Sequence, residues 1–143
     1  MTAQSKHASA ALIAPRLAAL LFAVATCGIA QAAPLLRCEV TYAGTTHVVE
    51  AVSGTDPYRV PSVDIGGRFR FKAVMLGTSQ RIDVINLYAY IDTRRQPVLI
   101  HQAKYLPPFR KSAAPYALTG HNSLYASNVE RELQYNCALQ GVQ

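Results

Sequence analysis

The chain has 143 residues, of which 50% are hydrophobic and 15% are charged, and its formal net charge is +6. This length is enough for one ordinary domain and too short for two. The composition is that of a globular protein and excludes collagen-like, coiled-coil and disordered chains. We therefore expect a single folded domain behind any targeting segment at the N-terminus.

Residues 1–32 have the pattern of a secretory signal peptide. Lys6 and Arg16 are the charges that precede fourteen uncharged residues, 17–30. A membrane-spanning helix needs about 20 apolar residues, so this length favours a signal-peptide core. The tripeptide Ala-Gln-Ala that ends at Ala32 supplies the small residues that a signal peptidase recognises. The sequence predicts a periplasmic or secreted protein, with no transmembrane segment after cleavage and no nucleic-acid partner.

Cys27 offers a second route of export. The residues before it resemble a lipoprotein box, in which this cysteine would be acylated and become the first residue. Such boxes have Gly, Ala or Ser directly before the cysteine, and Thr26 departs from that pattern. Soluble export is therefore preferred, and lipid anchoring through Cys27 is the alternative.

Removal or acylation of Cys27 leaves two cysteines, Cys38 and Cys137, near the two ends of residues 33–143. In an oxidising compartment two such cysteines are expected to pair. The bridge would close a loop of about 100 residues, for which the chain-entropy model gives about 4.7 kcal/mol of stabilisation. We expect a single β domain closed by this disulfide. Its net charge is +4, because two basic residues leave with the leader.

Apolar and polar side chains alternate along most of this domain, which predicts β-strands. In chain order, the predicted strands cover residues 37–42, 45–52, 68–75, 81–91, 97–105 and 133–139. Strand 81–91 is apolar on both faces towards its end and is therefore expected to be central. Tyr88 and Tyr90 are expected on one sheet face, with their hydroxyls near its rim.

The C-terminal segment, residues 128–139, fits two structures. Leu133, Tyr135, Cys137 and Leu139 alternate with polar residues, which indicates a strand. A capping-box pattern that begins at Ser127 favours a helix instead. We prefer the strand and predict a small antiparallel β-sandwich or open barrel of about seven strands, with one short C-terminal helix as the alternative.

The chain lacks the short motifs of common enzyme classes, among them G-x-S-x-G, the P-loop and the dinucleotide fingerprint. His47, His101 and His121 stand on separate segments without the spacing of a metal site. We expect His101 at the margin of the core, on the strand face that carries Leu99. The sequence predicts no catalytic residue, metal or cofactor. A small hydrolase with a dispersed site is the alternative, and it requires His101 or His121 within hydrogen-bond reach of an acid.

A basic row is the first candidate binding feature. Arg68, Arg70 and Lys72 point to one side of strand 68–75, about 6.8 Å apart. Such a row could hold an anionic partner. Alternating charges are also what an ordinary exposed sheet face carries.

A loop rich in proline is the second candidate binding feature. It covers residues 106–114 and contains Phe109, Arg110 and Lys111, and Tyr105 directly precedes it. Tyr and Arg are enriched at protein interfaces, which favours binding here. The alternative is that the loop packs over an open end of the sandwich.

These features favour a non-catalytic binding or accessory protein of the cell envelope. Its partner would be an unknown protein or an anionic envelope component. The inhibitor of an extracytoplasmic enzyme would fit the same features. A purely structural envelope component is a further alternative.

Overall fold

The computed structural model describes residues 32–126 and 131–143, so the predicted leader lies outside it except for Ala32. Within these ranges the chain forms nine strands, with a 3₁₀ turn at Pro57–Arg59 between the second and the third. The strands are β1 (Leu35–Tyr42), β2 (Thr45–Gly54), β3 (Val63–Ile65), β4 (Phe69–Gly77), β5 (Ile82–Asp92), β6 (Pro97–Tyr105), β7 (Tyr116–Ala117), β8 (Asn122–Ala126) and β9 (Arg131–Gln140). The predicted all-β fold is confirmed. No helix in the described ranges is long and apolar enough to cross a membrane.

The strands form one curled sheet in the order β6-β5-β4-β2-β1-β9-β7, with β3 paired to β4 and β8 paired to β9. The curl brings β6 close to β8, so that the sheet nearly closes into a barrel. Neighbouring strands are antiparallel except where Ser53 and Gly54 run parallel to Met75 and Leu76. The chain makes this parallel pair because it passes from β2 to β4 through the Pro57–Arg59 turn and β3, instead of through a hairpin.

Alternation along the strands places one apolar set inside the barrel. On β4, Phe69, Phe71, Ala73 and Met75 are buried, while Arg70 and Lys72 between them are half-buried. The interior is filled by side chains, since the rings of Phe71 and Tyr135 lie 5.2 Å apart across it. The barrel therefore has a packed core, and its polar outer faces are the surfaces available for binding.

The predicted disulfide joins Cys38 on β1 to Cys137 on β9. The two residues are direct partners in the antiparallel register, and both are buried. Because they are 99 positions apart, the bridge links the first strand of the domain to the last. It holds the first and last strands of the described domain side by side.

The C-terminal segment is a strand over residues 131–140, as preferred from its alternation. Leu133, Tyr135, Cys137 and Leu139 all point into the core. The helical alternative does not form in this range, because β9 pairs with β1 on one edge and with β7 and β8 on the other. Ser127 of the capping-box pattern lies outside the described residues.

One predicted strand boundary needs correction. Arg68 lies in the exposed turn before β4, and the strand begins at Phe69. Gly66 and Gly67 both have positive φ angles, 63° and 65°, which a strand cannot continue through. Asp64 supports the turn by accepting a hydrogen bond from the backbone N–H of Gly67.

Candidate functional site

The outer face of β4, β5 and β6 carries two rows of side chains that cross the sheet. The antiparallel register aligns Arg70–Tyr90–Leu99 in one row and Lys72–Tyr88–Gln102 in the other. These side chains point outward because those between them, such as Phe71 and Ala89, are buried. The face therefore has two tyrosines at its centre and two cations beside them.

The rings of the two central tyrosines are neighbours on this face. The rings of Tyr88 and Tyr90 are stacked at an interplanar angle of 24°, with their centroids 6.4 Å apart. This spacing follows from the strand, since residues two apart point to the same side. Their placement on one face agrees with the sequence-based expectation.

The Pro57–Arg59 turn is anchored to this face. Lys72 Nζ donates a hydrogen bond of 3.0 Å to the carbonyl oxygen of Pro57. The carboxylate of Asp56 accepts a bond from the backbone N–H of Tyr58, which caps the turn. The Tyr58 side chain is 93% exposed although it belongs to a well-bonded turn. An exposed aromatic side chain thus stands beside the sheet face.

Two adjoining recesses lie between the turn and the strands. One has a volume of about 300 Å³ and is lined by Pro57, Tyr58, Lys72, Val74, Tyr88 and Tyr90. The other has a volume of about 220 Å³ and is lined by Ser62, Arg70, Lys72, Tyr90 and Pro97. Both are lined by Lys72 and Tyr90, so they lie side by side on this face. We refer to Tyr58, Lys72, Tyr88 and Tyr90 as the tyrosine–lysine groove.

The two cations of the face differ in how their charge is balanced. Arg70 Nε lies 2.9 Å from a carboxylate oxygen of Asp92, and this hydrogen bond raises the pKa of Arg70, with a smaller contribution from Asp64. Lys72 bonds the carbonyl of Pro57, and in the described part of the chain no carboxylate oxygen lies within 4.0 Å of its Nζ. Lys72 therefore carries the uncompensated positive charge in the groove.

Net charge is concentrated in the same part of the chain. Residues 56–104 contain eight Lys or Arg and four Asp or Glu, whereas residues 33–55 and 105–143 together contain four of each. The whole net charge of the predicted mature domain therefore belongs to residues 56–104. Exposed arginines lie on the turns and loops that connect these strands: Arg59, Arg68, Arg94 and Arg95. Such a distribution attracts anions from a distance.

The 106–114 loop is held against the barrel by its aromatic residues. Phe109 and Tyr105 are half-buried and pack against the core. Ser112 and Val142 exchange backbone hydrogen bonds of 2.8 and 3.0 Å, which tie the loop to the C-terminus. These contacts match the alternative in which the loop covers one end of the fold.

Arg110 and Lys111 are exposed on this loop. The guanidinium of Arg110 lies 5.6 Å from the ring centroid of Tyr116, in a cation–π contact. Lys111 points to solvent. The contacts of the loop cations are therefore separate from those of Arg70 and Lys72, so the structure divides the candidate binding residues into two sets.

His101 is a hydrogen-bonded residue at the core margin, as expected. The prediction that Leu99 lies on the same strand face is wrong. The Nε2 atom of His101 lies 2.8 Å from the Tyr135 hydroxyl, across the seam of the barrel. A β-bulge at Ile100 places His101 opposite Ala89 on the inside and turns Leu99 outward. Burial lowers the pKa of His101 and, more strongly, raises the pKa of Tyr135 to about 12. The pair is an interior contact of the fold.

The other histidines stand apart from His101. His47 is half-buried on β2, and His121 is exposed before β8. The pKa of Glu132 is lowered, mainly by a hydrogen bond from Ser123 and also by the nearby His121. In the described ranges, however, no ion pair within 4.0 Å joins His121 to Glu132. Those ranges also contain no group of three or more His, Cys, Asp or Glu that could hold a metal ion.

Sequence reasoning missed the part of the site that lies on the turn. Asp56 and Pro57 are residue types that favour turns, but nothing in the local pattern indicates that this turn folds onto the outer face of β4. Comparison with known proteins gives no relative, since no family model, curated protein or solved structure matches the chain significantly. Its function has to be inferred from the groove and from the distribution of charge.

Proposed function

We propose that the protein is an exported binding protein of the cell envelope, which holds an anionic envelope component on the outer face of β4–β6. The observation that carries this proposal is the uncompensated Lys72 in a groove within the positively charged part of the chain. The Cys38–Cys137 disulfide supports export, because such bridges persist in oxidising compartments.

Lys72 has the chemistry that an anion site needs. Its ammonium group has three N–H donors, and one of them is used by the Pro57 carbonyl. Two donors are therefore available to oxygens of a ligand. Tyr88 and Tyr90 line the same recess, and aromatic walls beside an ammonium group strengthen its attraction for a negative charge.

The surrounding charges extend this attraction beyond the groove. The exposed Arg68, Arg94 and Arg95 stand on adjoining loops, since the backbone N–H of Asp92 donates to the carbonyl of Arg68. They would raise the local concentration of an anion and speed its association. Arg70 contributes less, because Asp92 already balances its charge.

Retention of envelope components on the immobilised protein tests this function. A native envelope extract is applied, and washes at about 0.1 M and about 1 M salt shorten the screening length from about 10 Å to about 3 Å. We expect an anionic component to be retained at low salt, released at high salt and lost in Lys72→Gln. Lipids, saccharides and proteins in each wash are identified by mass spectrometry.

Lys111→Gln is the matched control, because it removes the same charge from an exposed position on the 106–114 loop. This variant should retain the component as the original protein does. Equal retention by Lys72→Gln, or no retained component at either salt concentration, would contradict the proposed function.

A further inference from the structure

We infer that the anionic component is an acidic saccharide chain, whose rings stack on the tyrosines of the groove while a sugar carboxylate pairs with Lys72. This inference rests on the proposed function and specifies its ligand. It follows from the shape and chemistry of the groove, which offers flat apolar surfaces and polar groups side by side.

The tyrosine rings provide the stacking surfaces. Tyr88 and Tyr90 are nearly parallel on the sheet, and Tyr58 stands on the turn at the other side of the same recess. A sugar ring has C–H faces that pack on aromatic faces and hydroxyls around its rim. Tyrosine matches both, since its ring is apolar and its hydroxyl donates and accepts hydrogen bonds.

The size of the recesses favours a chain over a single sugar. Their volumes of about 300 and 220 Å³ are at or below the lower limit of a usual small-molecule pocket, about 300 Å³. Each recess is open, and Lys72 and Tyr90 line both of them. Consecutive rings of one chain can therefore occupy both, with the hydroxyl of Ser62 and the guanidinium of Arg70 available to the second ring.

Other anions use fewer of these features. A lipid bilayer presents a flat surface, whereas Lys72 is half-buried and bonded to the Pro57–Arg59 turn. An acidic peptide could pair with Lys72 but would leave the flat faces of Tyr58 and Tyr88 without a matching surface. A cationic ligand, which aromatic rings also bind, is opposed by the charge of Lys72.

Binding measurements with four defined probes test the inference. The probes are oligogalacturonate, poly-L-glutamate with the same number of carboxylates, neutral dextran and phosphatidylglycerol vesicles. Oligogalacturonate should bind most tightly, and Tyr58→Ala or Tyr88→Ala should weaken it about tenfold. Lys72→Gln should also weaken binding, and Lys72→Arg should restore most of it because the charge returns.

Tyr58→Ala is the sharpest variant, because a side chain that is 93% exposed contributes little to folding. Tyr125→Ala is its matched control, since Tyr125 is 68% exposed on β8, outside the groove. This control should bind oligogalacturonate unchanged.

The four probes separate failure of the inference from failure of the proposed function. If poly-L-glutamate binds equally well and Tyr58→Ala has no effect, the saccharide inference is overturned while anion binding stands. If only the phosphatidylglycerol vesicles bind, the saccharide inference is likewise overturned while anion binding stands. If no probe binds, or dextran binds as tightly as oligogalacturonate, both proposals are overturned.

Discussion

The barrel has a basic part, residues 56–104 with β3–β6, and a neutral part, residues 33–55 and 105–143 with the other strands. The neutral part contains an ion pair on its outer face. Arg37 and Glu50 on β1 and β2 form an ion pair of 3.0 Å, and their charges cancel. In the basic part, Lys72 has a carbonyl partner and a groove beside it.

The disulfide belongs to the neutral part. Cys38 and Cys137 join β1 to β9 there, whereas the groove lies on β4, β5 and the Pro57–Arg59 turn. The disulfide and the proposed binding groove therefore lie on different strands. Substitution of the two cysteines should change stability, and substitutions in the groove should change binding.

Loss of the disulfide should have the largest effect on stability. Replacing Cys38 and Cys137 together by Ala should lower the free energy of unfolding by roughly 2–5 kcal/mol, because the unfolded chain regains its loop entropy. Urea denaturation measures this change, and anion binding by the folded variant should be unaltered. Identical denaturation of the original protein with and without reductant would contradict the stabilising role of the bridge.

Gly77→Ala should have the next largest effect. Gly77 has a φ of 145°, and a Cβ at this position would collide with the carbonyl oxygen of Arg81. The strain should cost about 1–3 kcal/mol, seen as a lower melting temperature. Gly54→Ala is the control, because a Cβ there meets no atom within 4 Å. Equal losses in the two variants would show that the turn geometry is not the cause.

Tyr135→Phe should have a smaller effect, of about 1 kcal/mol. It removes the hydrogen bond to His101 but keeps the ring that packs against Phe71. Thermal or urea unfolding measures the loss. A loss as large as that of the disulfide would mean that the substitution disturbs the packing of the core.

The same pair predicts how stability depends on pH. Because burial lowers the pKa of His101 below 6.5, the unfolded state binds more protons as the pH falls below 6.5, and stability should decrease there. Because the pKa of Tyr135 is raised from 10.0 to about 12, the folded state holds the extra proton, and stability should decrease as the pH rises through that range. Urea denaturation at a series of pH values measures this dependence. His101→Gln should reduce the loss of stability at acid pH, and Tyr135→Phe should reduce the loss at alkaline pH. If either variant loses stability as the original protein does, the residue is not the group responsible.

Lys72→Gln should have the smallest effect on stability, within about 0.5 kcal/mol, because it exchanges one partly exposed polar side chain for another. Its effect on anion binding should be the loss described above. A large loss of stability would mean that the bond to Pro57 mainly supports the fold.

Sequence patterns predicted the features that depend on the alternation of apolar and polar residues and on the even number of cysteines in residues 33–143. The long strands and the Cys38–Cys137 bridge are of this kind. The short strands β3, β7 and β8 were missed, because two to five residues give too little alternation. The bulge at Ile100 was missed because a single extra residue is set by pairing with another strand.

The site was less predictable for the same reason. The sequence placed Arg70 and Lys72 on one face, but the carboxylate that balances Arg70 comes from Asp92, 22 positions away. Tyr58 reaches the groove through the packing of a turn against β4. Neither contact has a local signature, so the difference between the two cations emerges from the tertiary structure.

Backbone amide shifts measured by NMR during titration with oligogalacturonate locate the ligand on the barrel. We expect the shifts to cluster at Tyr58, Lys72, Tyr88 and Tyr90 and to leave β1 and β9 unperturbed. Shifts that cluster on the β2–β1–β9 face or on the 106–114 loop would contradict the assignment of binding to the basic part of the barrel.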